Sequence, residues 1–335
     1  MEREKKEYKY MVVTRCFTFN HAPYIVDAMK GFAMQETTFP VITLIMDDAS
    51  TDGEPDVIRQ YLTGHFQKPY RTEDNNDYQL ICANHKSNPN CKFIVFLLKY
   101  NHQSIKKSKF PYLSEWLDNT KYQAMCEGDD YWIHPKKLQM QVDYMECHED
   151  CGLVHGKASV YDEESGMISD KLRGRNFDSF SQLIRSNHVI TLTTCFRESA
   201  FKKYIEEYSK WISDYNLTML DYSIWLWISR YYKSYFIEEI TGVYRILHES
   251  ASHSMNYNKM NWFIDNIYAI QRCYADKFDV SNDVKKDIYN NYIKAKINAL
   301  YLCKRYREAY KEIPKLRIRD RLRYYLRTVL KIWGY

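Results

Sequence analysis

The sequence predicts an α/β protein followed by an all-helical C-terminal region. Three observations carry that prediction. Short β-branched and apolar runs alternate with helix-period segments from the N-terminus to about Glu239, two of the runs break into acidic turns, and from Lys259 onward every segment reads as helix. With 335 residues, 45% of them apolar, the chain can build one large core or two modest ones.

Tyr10–Thr14 (YMVVT) reads as a buried strand, and 23–34 as a helix with proline in its first turn. A second strand, 41–46 (VITLIM), runs into Asp47-Asp48-Ala49-Ser50-Thr51-Asp52-Gly53, and a helix follows over 55–62. Residues 64–91 are polar, with Gly and Pro and no clean period, which predicts a long loop or insertion. A third strand covers 93–99 and a fourth 122–126, the latter breaking at Glu127-Gly128-Asp129-Asp130 before a helix over 135–147. Strand patterns recur at 152–161, 190–196, 233–239 and 242–246, with a helix at 221–231 between them. The tail reads as helices over 261–277, 283–303, 306–313 and 316–333, so the chain divides into residues 1–255 and 256–335.

Several function classes lose support from composition. The longest purely apolar stretch is Phe93–Leu98, against roughly 20 residues for a membrane span. The start, MEREKKEYKYMVV, lacks the apolar region of a secretory signal, which predicts a cytoplasmic chain. Nine cysteines at irregular spacing read as thiols, and Cys82/His85/Cys91 and Cys147/His148/Cys151 do not make the paired spacing of a zinc site. The net charge of +5 is uneven: residues 284–335 hold 15 Lys/Arg and 4 Asp/Glu, and the first 283 hold 33 and 39. An acidic body argues against a nucleic-acid groove through the main domain, whereas the basic tail suits an anionic lipid surface or RNA.

Two acidic clusters, Asp47-Asp48 and Asp129-Asp130, lie where strands end, and in open α/β sheets ligands bind there. Singly, such an Asp also serves as a turn former or helix cap. Two carboxylate pairs on one sheet edge repel unless a cation or hydrogen-bond donors lie between them, and oxygen ligands at turns suit Mg²⁺ or Mn²⁺ carrying a diphosphate.

The run TRCFTFNHAPYIVDAMKGFAMQETTFPVITLIMDDASTDG, followed about 75 residues later by CEGDDYWIHPKKLQMQVDYME, resembles the family 2 glycosyltransferases of bacterial surface-polysaccharide type. The resemblance continues more loosely through 196–200, LDYSIWL at 220–226 and VYRILHESASHS at 243–254, and so covers residues 10 to about 255. It implies a GT-A fold, a Rossmann-like mixed sheet flanked by helices. By the same resemblance Phe17, Thr18, Phe19, Asn20, Asp47 and Asp48 hold the base and ribose of the donor, Asp129 contacts the ribose, and Asn101, Gln103 and Lys107 lie near the diphosphate. Asp130 and His248 take the Mn²⁺ or Mg²⁺ ion, and Asp221 is the base. An acid at that helix start also favours the helix dipole, with no part in the chemistry.

The activity implied is inverting transfer of one sugar from a nucleoside-diphosphate sugar, a UDP-sugar favoured, to a glycan or lipid-linked acceptor in capsule or lipopolysaccharide synthesis. There is no QxxRW block of the processive relatives. Two alternatives stay open. A sugar-nucleotide pyrophosphorylase would carry a Gly-rich loop where this chain reads RCFTFNH, and a non-catalytic nucleotide- or glycan-binding protein would need no base.

In the last helix Arg319, Arg323, Arg327 and Lys331 recur every four residues, and Ile318, Leu322, Val329 and Trp333 share another face within about 60°. That pattern predicts peripheral attachment to the inner face of the membrane, the alternative being a helix docked on the body with its basic side in water.

Overall fold

A computed structural model describes residues 8–207, 210, 220–247 and 256–332. Its centre is a mixed sheet in the order β3-β4-β5-β2-β1-β6-β10-β8-β11-β7, with β9 paired to β8. The strands are β1 (Tyr10–Thr18), β2 (Val41–Asp47), β3 (Arg71–Asp74), β4 (Tyr78–Asn84), β5 (Cys91–Leu98), β6 (Thr120–Met125), β7 (Tyr131–Trp132), β8 (Cys151–Asp162), β9 (Met167–Arg173), β10 (Cys195–Arg197) and β11 (Lys233–Ile246). β5, β2, β1 and β6 run parallel, and every residue of β2 is buried, as a strand covered on both faces requires.

One face is covered by α1 (Ile25–Ala33), α2 (Glu54–His65) and α4 (Lys137–Cys147), which pack Met29, Phe32, Ile58, Leu62, Leu138 and Val142 against Val12, Cys16, Ile45 and Val95. On the other face α3 (Phe110–Leu117) places Leu113 and Trp116 over Ile42, Leu44, Ile94 and Phe96. A short α5 (Phe180–Leu183), then α6 (Glu198–Glu207), α7 (Leu220–Tyr231) and α8 (Tyr257–Lys277) continue that layer, closing Phe201, Trp225, Ile270 and Tyr274 onto Leu153 and Phe196. The tail then builds a small cluster of its own between α9 (Asn282–Leu302), α10 (Tyr306–Glu312) and α11 (Ile318–Ile332), around Ile297, Leu300, Tyr301 and Ile313.

The α/β class with a helical extension is the observed architecture, and four local readings change. Residues 64–91 are not one loop: β3 and β4 form an antiparallel ribbon on β5, because Leu80, Cys82 and Ala83 bury themselves in the sheet. The segment 190–196 is a 3₁₀ turn at Thr191–Thr193 followed by the short β10, and Trp132 Nε1 donates to the carbonyl of Leu192 at 2.7 Å to hold that turn. The two strand patterns at 233–239 and 242–246 join into one strand whose register shifts around Ile240, which hides the alternation. Helices α3 and α6 were not legible from periodicity, since each is short and leans on aromatic contacts.

A buried histidine in β8 gives a pH signature. His155 lies between Phe177 and Phe236 with both ring nitrogens unpartnered, and burial pushes its pKa down to about 3. The folded state therefore refuses a proton that the unfolded chain takes up near pH 6.5, so stability present at neutral pH is lost as pH falls from 6.5 toward 3. His155→Phe is expected to flatten that dependence. In urea melts at about pH 5 and pH 8, the variant should lose roughly 2 kcal/mol less than the parent between the two. Equal losses would contradict a neutral buried imidazole.

Candidate active site

Parallel strands that end together gather their loops at one edge. In the order β5-β2-β1-β6 the connections leave β1 in opposite directions, which opens a crevice at the carboxyl ends of β1, β2 and β6. The loops after β1, β2, β5 and β6 meet there, and they carry both acidic clusters.

The β1 and β2 loops are locked by a carboxylate that the sequence did not single out. Glu54, buried at the start of α2, accepts from the Thr18 hydroxyl, from the His21 amide at 2.8 Å and from Ser50 Oγ at 2.9 Å. Ser50 Oγ in turn accepts from the Asn20 amide at 2.8 Å, and Asn20 Oδ1 accepts from the Thr51 amide at 2.8 Å. Asn20 and Ala49 pay for these turns with positive φ values of 56° and 60°. Phe17 and the exposed Phe19 flank the loop, with Lys109 Nζ 5.4 Å from the Phe17 ring centre.

Asp47 and Asp48 have different surroundings. Asp48 is buried and accepts from the amides of His102 at 2.8 Å and Gln103 at 3.2 Å, with Lys109 Nζ at 2.9 Å. Asn101 Nδ2 donates to the Asp48 carbonyl at 3.0 Å, so Asp48, Asn101 and Gln103 form one unit, and the cation that meets it is Lys109. Lys107 points elsewhere, bonded to Tyr100 Oη at 2.6 Å and to Asp77 at 3.2 Å. Asp47 receives one weak bond from the Ser50 amide at 3.2 Å, and its Oδ1 is buried with no partner. Burial pushes it up to about 6.

The loop after β6 is clamped from the far side of the sheet by Arg245 of β11. Its amide donates to Asp130 Oδ1 at 2.8 Å, its guanidinium donates to the Asp129 carbonyl at 2.6 Å and to Asp27 at 2.9 Å, and Tyr24, Tyr131 and Tyr161 surround it. Asp130 is buried and pushed well above the usual carboxylate range, by burial first and then by Asp129. Glu127 presents atoms to solvent, yet crowding by protein, reinforced by Asp129 and Asp221, pushes its carboxyl up to about 8. That coupling places Asp221 in the field of the same loop. Thr191 Oγ1, from the 3₁₀ turn, donates to Asp221 Oδ2 at 2.8 Å and fixes its orientation. His248 lies outside the described residues.

Among the described residues no three His, Cys, Asp or Glu side chains converge tightly enough to hold a metal by themselves. Mg²⁺-type ions at diphosphate sites need only one or two carboxylates, the other positions going to phosphate oxygens and water. Buried Asp130, next to Asp129 with its buried, unpartnered Oδ1, fits that one-or-two-carboxylate donor set.

Gly128 makes the loop possible. A Cβ there would lie 2.1 Å from Thr18 Oγ1, an atom already bonded to Glu54, so the two loops touch backbone to side chain. Gly128→Ala is expected to cost about 1–3 kcal/mol and to part these loops. Urea denaturation checks the loss, and a change below about 0.5 kcal/mol would mean the loops separate freely.

The structure places Asp47, Asp48, Asp129 and Asp130, singled out in the sequence, in the loops at this edge, and adds Glu54, Lys109, Glu127 and Arg245, which the sequence reading did not single out. Glu127 stood inside the quoted CEGDD motif, and Arg245 inside VYRIL. Glu54 directly follows the Asp47–Gly53 turn, and Lys109 carried no signal in the sequence.

No family model matches the chain. The uncharacterised proteins Rv1520 of Mycobacterium tuberculosis and Mb1547 of Mycobacterium bovis are each 30% identical over 184 residues, 54% of this chain and 45% of theirs. The chain thus spans about half the length of the curated relatives it matches. Among solved structures, TarS 1-349 of S. aureus superposes with a TM-score of 0.46 at 11% identity, covering 97% of this chain and 92% of that one. The mannosyltransferase PcManGT of Pyrobaculum calidifontis, solved in complex with GDP-Man and Mn²⁺, superposes with a TM-score of 0.53 at 13% identity over 89% of this chain and 77% of its own. At that identity the likeness is one of fold, and the fold is that of this glycosyltransferase structure.

Proposed function

We infer that this chain is an inverting, metal-dependent glycosyltransferase that moves a single sugar from a nucleoside-diphosphate sugar to a glycan or lipid-linked acceptor in cell-surface polysaccharide synthesis. The observation that carries this reading is the Asp129-Asp130 loop at the carboxyl edge of the parallel strands, joined through the end of β1 to the Asp47-Asp48 turn, with a buried Asp129 oxygen left unpartnered. Kinship of fold with PcManGT, solved with GDP-Man and Mn²⁺, supports it. The catalytic unit would be residues 1–255, with 256–335 as a helical appendage.

In this reading Phe17 and Phe19 offer aromatic faces to the base, and the Asp48–Lys109 pair with the amides of Asn101 and Gln103 shapes the wall beside it. Asp129 meets the ribose. Asp130, with His248, would hold Mg²⁺ or Mn²⁺, whose chemistry when bound is to neutralise the departing diphosphate. Asp221, oriented by Thr191, accepts the proton of an acceptor hydroxyl as that oxygen bonds to the anomeric carbon and the bond to the diphosphate breaks.

The test is a panel of UDP-, GDP-, CMP- and dTDP-sugars, with and without Mn²⁺, read by release of the nucleotide. One donor should turn over, slowly to water and faster with a glycan or lipid-linked acceptor, and only with the metal. Formation of a nucleoside triphosphate on adding pyrophosphate, or binding of a donor with no turnover toward any acceptor or water, would contradict the reading.

A further inference from the structure

Helix α11 divides its circumference into three sectors. At about 100° per residue, one side carries Tyr324 and Thr328, which dock it: Thr328 is buried, its hydroxyl 2.5 Å from Tyr301 Oη, and Tyr301 Oη also donates to the Tyr324 carbonyl. Asp320, near the helix start, is tied to Lys294 at 2.9 Å and Asn290 at 2.8 Å. The second sector holds Ile318, Leu322, Leu326, Val329, Leu330 and Ile332, every one between 42% and 82% exposed. The third holds Arg319, Arg323, Arg327 and Lys331, and the apolar and basic rows share a shallow groove.

A helix that needs only docking has no use for six open aliphatic side chains. The docked sector shows that α11 is fixed by its tyrosine side, so the apolar row is left facing out by the fold. Among described residues no helix is long and apolar enough to cross a bilayer, which leaves surface seating as the way for such a row to leave water. What fits over it must be apolar below and negative beside, because the flanking row is basic and the whole stretch 284–335 carries 15 cations against 4 anions.

We propose that α11 seats the protein on an anionic lipid surface, with Leu322, Leu326 and Leu330 entering the acyl boundary and Arg319 and Arg323 meeting the headgroups. The orientation places the helix axis in the plane of the membrane, and the docked side holds the catalytic body against it. This reading is independent of the donor chemistry and stands or falls separately from it.

The full chain is sedimented with vesicles of phosphatidylcholine alone and with about one quarter phosphatidylglycerol. Binding is expected for the anionic vesicles and lost by about tenfold or more on raising salt from about 0.1 M to 0.5 M. Arg319→Glu with Arg323→Glu should lower binding by about tenfold or more, and Leu322→Gln with Leu326→Gln and Leu330→Gln should abolish it while the melting temperature and donor binding stay unchanged. These positions are exposed, so either set of variants can be checked as folded. Equal binding to neutral and anionic vesicles, full binding by the leucine variant, or a chain that ignores both vesicles and instead dimerises through this face or captures RNA would overturn the proposal.

Discussion

Asp221→Asn is expected to lower turnover by about 10²- to 10⁴-fold while donor affinity stays within about threefold of the parent. The substitution keeps the size of the side chain and the bond from Thr191 Oγ1, so the orientation survives and only the proton acceptor is lost. It also removes one of the negative neighbours that hold Glu127 high, so Glu127 should give up its proton more readily in the variant. Steady-state rates beside calorimetric donor titration separate the two effects. Loss of donor binding in step with turnover would make Asp221 part of the binding wall, and unchanged turnover would remove it from the chemistry.

Arg245→Met is expected to destabilise the fold. The guanidinium is buried and joins four places in the fold: the Asp129 carbonyl in the loop after β6, Asp27 of α1, Glu163 after β8, and a ring formed by Tyr24, Tyr131 and Tyr161. Methionine fills much of the volume but leaves the Asp129 carbonyl without its donor, while Asp27, 44% exposed, can turn to water, so the expected cost is about 1–3 kcal/mol. Arg245→Lys should recover less than half of that, since one ammonium cannot reach Asp129 and Asp27 together. Urea midpoints with unchanged slopes measure the loss. A cost below about 1 kcal/mol would mean the loop after β6 is held by its own backbone.

The place of the candidate site was readable because its acidic residues sit at strand ends. VITLIM followed by Asp47-Asp48, and YQAMC followed by the acidic turn, each joined a buried run to a break, and parallel pairing through β1 brought those breaks to one edge. The edge ribbon of β3 and β4 was less readable: β3 is four polar residues that alternate between half-buried and exposed, and β4, buried or half-buried throughout, is flanked by polar residues without a clean alternation. Arg245 lay in a strand that looks unexceptional, and its role follows from β11 lying beside β7 and β8, a pairing of segments roughly 80 to 110 residues apart in the chain. Lys109, unmarked in the sequence, meets Asp48, while Lys107, just past a turn at Lys106 with φ at 54°, is bonded to Asp77. Long-range charge partners of this kind carry no periodicity.

The most direct measurement is calorimetric titration of the parent chain and Asp130→Ala with UDP, GDP, CMP and dTDP sugars, in Mn²⁺ and in chelator. One donor should bind the parent in Mn²⁺, lose roughly tenfold or more in affinity on chelation, and lose the same amount, with no further metal effect, in the variant. Equal donor affinity with and without the ion, or a variant that responds to Mn²⁺ as the parent does, would contradict a metal–diphosphate site at the carboxyl edge of this sheet.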